Sequence, residues 1–260
     1  MIRYFRVWLF LTAASFQTFL VSRVGAILFF SGKILRFIFF LAFLLLLLSQ
    51  TQVLAGYNVW QVLLFYLTFN FIDSATQMLF REVYRFRQQI VTGSFDLVLV
   101  KPVNCLFRSL LGWTDLLDLI TLFPFIIFIG FVISKIPYIT LLSIIFYILL
   151  LGNALLIAAA FHIIVLALAI LTTEIDHAIM IYRDFTSMGR IPIDVYSEPV
   201  RSLVTFAIPV GIMMSFPTKS LLGLLNITST VIAFAFSLTI FAFSLFFWNH
   251  ALKRYTSASS

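Results

Sequence analysis

Long runs of apolar residues alternate with short polar segments along the whole chain. A helix that crosses a bilayer needs about 20 predominantly apolar residues. The runs that approach or exceed this length are Gly25–Ser49, Val59–Phe80, Leu110–Ile133, Tyr138–Leu171 and Leu224–Trp248. The pattern therefore predicts an all-α polytopic membrane protein in which each of these runs forms one membrane span.

The region between the fourth and the last run has a different pattern. Thr172–Gly189 has helical periodicity but is rich in charge, and Pro192 and Pro199 interrupt the pattern that follows. Leu203–Phe216 is apolar but short, and it contains Pro209. These features are typical of a broken or re-entrant segment. We expect the two pieces to make the fifth crossing together, which gives about six transmembrane helices.

The first two runs contain polar residues. Lys33 and Arg36 lie near the start of the first run, and Asn70 and Asp73 lie inside the second. Lysine and arginine side chains are long enough to extend along an apolar surface and place their charge among the lipid headgroups. We therefore expect Lys33 and Arg36 to lie close to the membrane surface.

The N-terminal segment, residues 1–24, has the pattern of an amphipathic helix. Arg3, Arg6 and Gln17 fall near one face, and apolar residues cover the other. A secretory signal peptide is the alternative, because an apolar run follows the two arginines. We prefer an amphipathic helix that lies in the membrane interface. The predicted domains are this interfacial helix, a single six-span transmembrane domain at 25–250 and a cytoplasmic tail at 251–260.

Composition supports a membrane environment. The chain is 62% hydrophobic and only 10% charged, whereas a soluble domain carries about 25% charged residues. Its net charge of +7 favours contact with anionic lipid headgroups. No polar segment combines basic clusters with interleaved aromatics, so we expect no nucleic-acid partner. Cys105 is the only cysteine, which excludes an internal disulfide.

The distribution of Lys and Arg predicts the orientation. If the N-terminus is cytoplasmic, ten basic residues fall in inside segments and four in outside segments. This excess favours cytoplasmic positions for both termini, in the plasma membrane (the bacterial inner membrane). The inside residues are Arg3, Arg6, Arg23, Arg81, Arg85, Arg87, Lys101, Arg108, Lys253 and Arg254, and the outside residues are Lys135, Arg190, Arg201 and Lys219.

The chain lacks the common nucleotide-binding and catalytic motifs. A Walker loop requires Gly, four residues, then Gly-Lys-Ser/Thr. The only Gly-Lys pair is Gly32-Lys33, where Ile27 occupies the first glycine position and Ile34 follows the lysine. The metalloprotease, hydrolase and dinucleotide-binding motifs are also missing. We therefore expect a non-catalytic subunit with no cofactor and no resident metal.

The polar segment after the second run predicts a short amphipathic helix on the cytoplasmic side. Glu82 and Arg85 have the i,i+3 spacing of neighbours on one helix face, and Gly93 is placed to end the helix. One interpretation is an interfacial helix held by headgroups. The other is a docking helix for a cytoplasmic partner.

The densest charge cluster follows the fourth run. Charged residues in a membrane are costly, so they face a cavity, a water-filled path or each other. Glu174 and His177 also have the i,i+3 spacing of carboxylate metal sites, but such sites require two of these motifs. A plain cytoplasmic loop remains an alternative to a water-filled path. The candidate pathway-lining residues are Glu174, Asp176, His177, Arg183 and Asp184.

Three stretches, in order, share motifs with one known family. Their sequences are REVYRFRQQIVTGSFDLVLVKPVN, IPIDVYSEPVRSLVTFAIPVGIMMSFPTKSLLG and FFWNHALKRYTSASS. The chain resembles the membrane-spanning subunits of ABC exporters of the ABC-2 permease type, in the branch whose members have about this length. The match covers nearly the whole chain, although Ala251 stands where the family usually has Gly.

The resemblance implies a six-span export permease that works with a second permease subunit, identical or related, and with a separate ABC ATPase subunit. The residues it assigns to ATPase coupling are Arg81, Glu82, Arg85, Arg87, Gly93 and Asp96. It also implies an external helix and re-entrant element over Pro192–Gly223, and it does not define the substrate. Two rival functions stay open: a secondary transporter without an ATPase, and a lipid-acting membrane enzyme based on His177 and Asp176.

Overall fold

The computed structural model of the protein describes residues 2–21, 23–172 and 176–256. Helices and their connecting turns account for the described residues, with no strand among them. The helices are α1 Ile2–Val21, α2 Arg23–Thr51, α3 Val59–Phe80, α4 Val83–Val91, α5 Asp96–Leu99, α6 Cys105–Leu111, α7 Leu116–Ile133, α8 Leu141–Thr172, α9 Asp176–Ser187, α10 Val200–Ser202, α11 Phe216–Leu221 and α12 Ile227–Leu252.

Within the described residues, five helices are long and apolar enough to cross a membrane, namely α2, α3, α7, α8 and α12. A bent pair, Val200–Ala207 and Gly211–Leu221, raises the number to six if it is one span. Its two parts meet at 83° around Pro209. The predicted all-α polytopic fold, with a broken element before the last span, is therefore confirmed.

Local capping explains where the spans begin. Asn58 and Gln61 form a capping box at α3, which begins where predicted. The third span begins at Leu116 rather than Leu110, because α6 ends at Gly112 and the Asp115 carboxylate accepts the backbone N–H of Leu117 at 2.9 Å. The first turn of α7 is thus a new helix start.

The last span also differs from the prediction. It begins at Ile227 rather than Leu224, because the Asn226 side chain caps the helix by accepting the N–H of Ser229 at 2.7 Å. It continues past Trp248 to Leu252, and both Trp248 and Ala251 are buried. Packing of these two side chains against the rest of the fold keeps the final turn helical.

The core lies along α8, which packs against α12, α3 and α11. Small residues on α8, including Ala154 and Ala158, are fully buried and allow close approach of neighbouring helices. Two polar side chains of α8 have partners in this core. The Ser237 hydroxyl of α12 donates to the Asn153 amide oxygen of α8, and a ring nitrogen of His162 lies 2.8 Å from the carbonyl of Ala158.

The segment after α8 runs from one end of the bundle to the other. The Tyr182 ring of α9 contacts His162 of α8, at the end that carries α4. Further along, Gly189 packs against Met214, where an added Cβ would lie 2.6 Å from that side chain. Asp194 then reaches the turn between α2 and α3 at the opposite end, where Tyr57 lies. The fifth crossing was predicted to consist of residues 172–189 together with the re-entrant piece, and residues 173–175 of that range lie outside the described residues.

A small polar cluster closes the end of the bundle opposite α4. The Asp194 carboxylate accepts the Tyr57 hydroxyl at 2.9 Å and the Lys219 ammonium at 2.8 Å. Burial and the adjacent Asp194 charge raise the pKa of Tyr57 above its ordinary value, so the phenol stays a donor. The cluster ties the α2–α3 turn to the bent element.

Candidate coupling element and charged cleft

Helix α4 is held against the bundle by one apolar face. Val83, Phe86 and Ile90 are buried, and Phe86 contacts the Trp248 ring of α12 at 6.1 Å between centroids. The opposite face carries Arg85, Arg87, Gln88 and Val91, all exposed. The predicted amphipathic helix is therefore present, although it begins at Val83, and Arg81 and Glu82 form the turn before it.

Glu82 is 1% exposed and lies inside the protein. Its carboxylate accepts the Arg108 guanidinium at 2.9 Å and the Gln89 amide at 2.7 Å. The predicted neighbour Arg85 is also present, at 3.6 Å. Arg108 was not among the predicted partners of Glu82, because i,i+3 spacing shows only contacts within one helix. Glu82 thus joins α4 to α6 and does not present its side chain to a partner.

Arg85 and Arg81 face in different directions. Arg85 lies over the Trp113 ring at 4.3 Å and remains half exposed. Arg81 points the other way, toward α7 and α2, where its Nε lies 3.4 Å from the Asp115 carboxylate. Arg85 therefore contributes its charge to the outer face of α4, together with the exposed Arg87, whereas Arg81 does not.

Gly93 ends α4, as predicted, with a positive φ of 71°. The chain then turns so that Phe95 is fully buried between Phe86 and Tyr255, with ring centroids 5.0 and 5.1 Å away. The Tyr255 hydroxyl donates to Asp96 at 2.9 Å. Burial and this hydrogen bond raise the pKa of Tyr255 to about 12. Tyr255 was not among the candidate residues, although it lies in the C-terminal stretch that carries the family resemblance.

The outer surface of this region combines charge with apolar side chains. We define the coupling surface as the exposed residues of α4 and the segment after it. Its apolar members are strongly exposed, up to 80% for Val100. It consists of Arg85, Arg87, Gln88, Val91, Thr92, Ser94, Leu97, Leu99 and Val100.

A cleft of about 430 Å³ lies between α2, α3 and α7, with one residue of α9 at its edge. Of the candidate pathway-lining residues, only Arg183 lines it. His177 and Asp184 are exposed on α9, whereas Glu174 and the side chain of Asp176 lie outside the described residues. The other charged residues that line the cleft are Lys33, Arg36, Asp73 and Arg81.

The charged residues of the cleft are joined by ion pairs of unequal quality. Lys33 contacts Asp118 directly, and Asp118 is buried. Arg36 lies 3.7 Å from Asp73, which is a looser pair. Lys33 and Arg36, which were expected to extend toward the headgroups, thus face carboxylates on α7 and α3, and Arg36 remains half exposed. Local spacing shows no pairs between residues so far apart in the chain.

Arg190, which was predicted to lie in an external segment, packs against two helices of the bundle. Its guanidinium lies over the rings of Phe40 and Phe69, at 5.7 and 5.8 Å from their centroids. Both rings belong to the middle of long apolar helices, α2 and α3. The contact with two aromatic faces stabilises a cation at that depth.

Comparison with known protein families gives one result. The family model described as "ABC-2 family transporter protein" matches residues 34–259. The matched range includes the coupling surface and most of the cleft. Comparisons with curated proteins and with solved structures gave no match.

Proposed function

Since the chain belongs to the ABC-2 transporter family, we propose that it is the permease subunit of an ABC exporter, driven by a separate ATPase chain. Family membership makes it a membrane-embedded, multi-pass component of ABC transport. The proposal adds that the chain forms the substrate path, that ATP hydrolysis takes place on the partner, and that a second permease subunit completes the assembly.

The construction of the coupling surface is the observation that carries this proposal. A helix held only by headgroups needs an apolar face toward lipid and basic charge around it. Here the apolar face of α4 is used inside the protein, where Phe86 packs against Phe95 and Trp248. The exposed side instead presents Leu97 and Val100 beside the arginines. A rigid surface of mixed charge and apolar side chains fits a protein groove.

Glu82 supports the same function by holding α4 in place, without contacting the partner itself. It fixes α4 to α6 through Arg108, so a force applied to α4 reaches the bundle. Arg87 and Arg85 are then the charged residues that meet the ATPase, whereas Gly93 and Asp96 shape the chain behind them. The lipid-acting enzyme has less support, because His177 lies exposed on α9.

The orientation follows from the same proposal. The end of the bundle that carries α4 faces the cytoplasm, together with α1 as an interfacial helix and the C-terminal tail. Arg3 of α1 donates to the carbonyl of Pro102, and Thr12 and Thr114 share a hydrogen bond of 2.9 Å. These contacts keep α1 beside α6, at the α4 end. A cytoplasm-only reporter fused after Ser260 is expected to be active.

The test is co-purification of the ATPase from native membranes with tagged permease. Leu97→Asp and Val100→Asp place charge on the coupling surface and touch no buried contact. We expect the recovered ATP hydrolysis to fall at least about tenfold, which corresponds to about 1.4 kcal/mol of binding. The matched control is Tyr138→Asp, an exposed residue at the opposite end of the bundle.

One chain should co-purify with the wild type and be missing from the coupling-surface variants. We expect mass spectrometry to show that this chain contains a Walker loop. Equal recovery of ATP hydrolysis with both coupling-surface variants and the control would show that α4 does not seat an ATPase.

A further inference from the structure

The cleft and its rim hold more positive than negative charge. Among the described residues, Arg183 and Arg190 have no carboxylate within the 4.0 Å of an ion pair. Arg190 lies close enough to Arg36 and Arg183 to interact with their charges, and it also interacts with the Asp73 carboxylate, which is not at ion-pair distance. The cations outnumber the carboxylates by two. The cations are Lys33, Arg36, Arg81, Arg183 and Arg190, and the carboxylates are Asp73, Asp115 and Asp118.

These charges lie at a depth where an unpaired cation is unfavourable. Arg36 is about 18 Å along the axis of α2 from Val24, at about 1.5 Å per residue. Asp73 is about 10 Å along α3 from Phe80 by the same measure. Charged groups at such depths pair with one another or line a path. Arg183 is exposed on α9, and Arg190 lies beside Phe40 and Phe69, and neither has a carboxylate at ion-pair distance. Two positive charges of the cleft are therefore available to an anion from outside the chain.

The cleft also has an apolar side that faces the lipid. Phe29, Ile34, Ile38 and Phe128 line it, and all are exposed on the surface of the bundle. The cleft is therefore open toward the hydrocarbon region and charged inside. An inorganic anion would use only the charged part, whereas an amphiphile would use both.

We propose that the cleft binds the anionic headgroup of a membrane amphiphile, with its hydrocarbon chains against Ile38 and Phe128. Arg183 and Arg36 bind the headgroup oxygens, because guanidinium groups match phosphate and carboxylate groups with paired hydrogen bonds. This inference rests on the proposed function, and it names the substrate class as a lipid-like anion taken from the leaflet near α4.

The order of the cations along the cleft agrees with a lipid-like anion as the substrate. Arg81 stands at the end of α3, and Arg190 lies deeper, beside Phe40 and Phe69. A headgroup that leaves the leaflet would meet Arg81 first, then Lys33 and Arg36, then Arg190. Successive cations at increasing depth lower the cost of moving an anion through the membrane.

The test measures binding to the purified full-length permease in an uncharged detergent. The probes are phosphatidylglycerol, phosphatidylcholine with the same chains, and glycerol phosphate without chains. We expect phosphatidylglycerol to bind at least about tenfold more tightly than either of the others. We expect Arg183→Gln to weaken that binding about tenfold, and Arg183→Lys to restore part of it.

The control variant is Lys135→Gln, which removes a cation that lies over Phe131 at the other end of the bundle. Its affinity for phosphatidylglycerol should equal that of the wild type. Size-exclusion chromatography shows whether each variant is folded. If Arg183→Gln elutes abnormally, the affinity of a normally eluting Arg183→Lys variant for phosphatidylglycerol is compared with that of the wild type instead.

Three results would overturn the inference. Equal binding of the two lipids would remove the role of the anionic headgroup. Equal binding of glycerol phosphate would make the cleft a site for free anions. A change in oligomeric state in Arg183→Gln, with no change in lipid affinity, would mean that the cleft is a contact surface for a second copy of the chain. The lipid-binding assay contains no ATPase. Failure of ATPase co-purification would therefore contradict the proposed function without changing the measured lipid affinities.

Discussion

Helices α8 and α2 have similar apolar compositions but opposite roles in the structure. On α8, Leu150, Ile157 and Leu166 are fully buried, and its polar side chains have partners inside the fold. On α2, Leu44 and Leu48 are the buried residues among the described side chains, and most other positions face outward. The same apolar pattern thus forms the scaffold in one helix and an exposed apolar surface in the other.

This difference in burial determines where a charged cleft can form. Buried positions on α8 are constrained by packing on every side. The outward position of α2 leaves room for Lys33 and Arg36 to line a cleft without disturbing the core. A charged cleft at the edge of the bundle can change its contacts while α8 and α12 stay fixed.

The largest effect is expected where a charge is buried in the packed region. Replacing Glu82 by Ala leaves Arg108 without its carboxylate and removes the bond to Gln89. Loss of one partner of a buried ion pair costs about 3–5 kcal/mol. Thermal unfolding in detergent should show this loss, and Glu198→Ala, at an exposed site, should leave the unfolding temperature nearly unchanged. Similar unfolding temperatures for the two variants would mean that Glu82 is not structural.

A matched pair of leucines tests the comparison between the two helices directly. Leu166→Ala on α8 creates a cavity at a fully buried site and should cost about 2–5 kcal/mol. Leu46→Ala on α2 shortens a side chain that is 69% exposed, so it should cost much less. The measurement is the free energy of unfolding of each variant in the same detergent. If the order were reversed, α2 would belong to the core and α8 would not.

The smallest effect concerns the chemistry of Cys105, at the start of α6. Burial raises the pKa of this thiol above its ordinary value, so little thiolate is present near pH 7. Alkylation by a maleimide should be slow at pH 7 and should accelerate as the pH rises, because the thiolate is the reactive form. Ser197→Cys in a Cys105→Ala background supplies an exposed thiol for comparison. Equal rates at pH 7 would show that Cys105 is not shielded.

Apolar run length predicted the number and approximate place of the spans, because hydrocarbon thickness sets the length of a helix. It could not predict which face of each span is buried, since rotation depends on neighbouring helices. That is why Lys33 was expected at the surface although it pairs with Asp118, and why Arg190 was expected outside although it lies between two aromatic rings.

The coupling element was predictable from its own residues, whereas its support was not. The amphipathic period of α4 and the stop at Gly93 are local features of the sequence. Arg108, Trp113 and Tyr255, which hold the element in place, come from other parts of the chain. Contacts of that kind depend on tertiary packing, which a single sequence does not show.

Helix α3 connects two places that have been treated separately. It runs without interruption from Asn58, next to Tyr57, to the turn that begins α4. Its 22 residues form a lever about 33 Å long. A tilt of about 5° at the α4 end moves the far end by about 3 Å, as long as a hydrogen bond. A small movement at the α4 end is therefore enough to separate Tyr57 from Asp194 at the opposite end of the bundle.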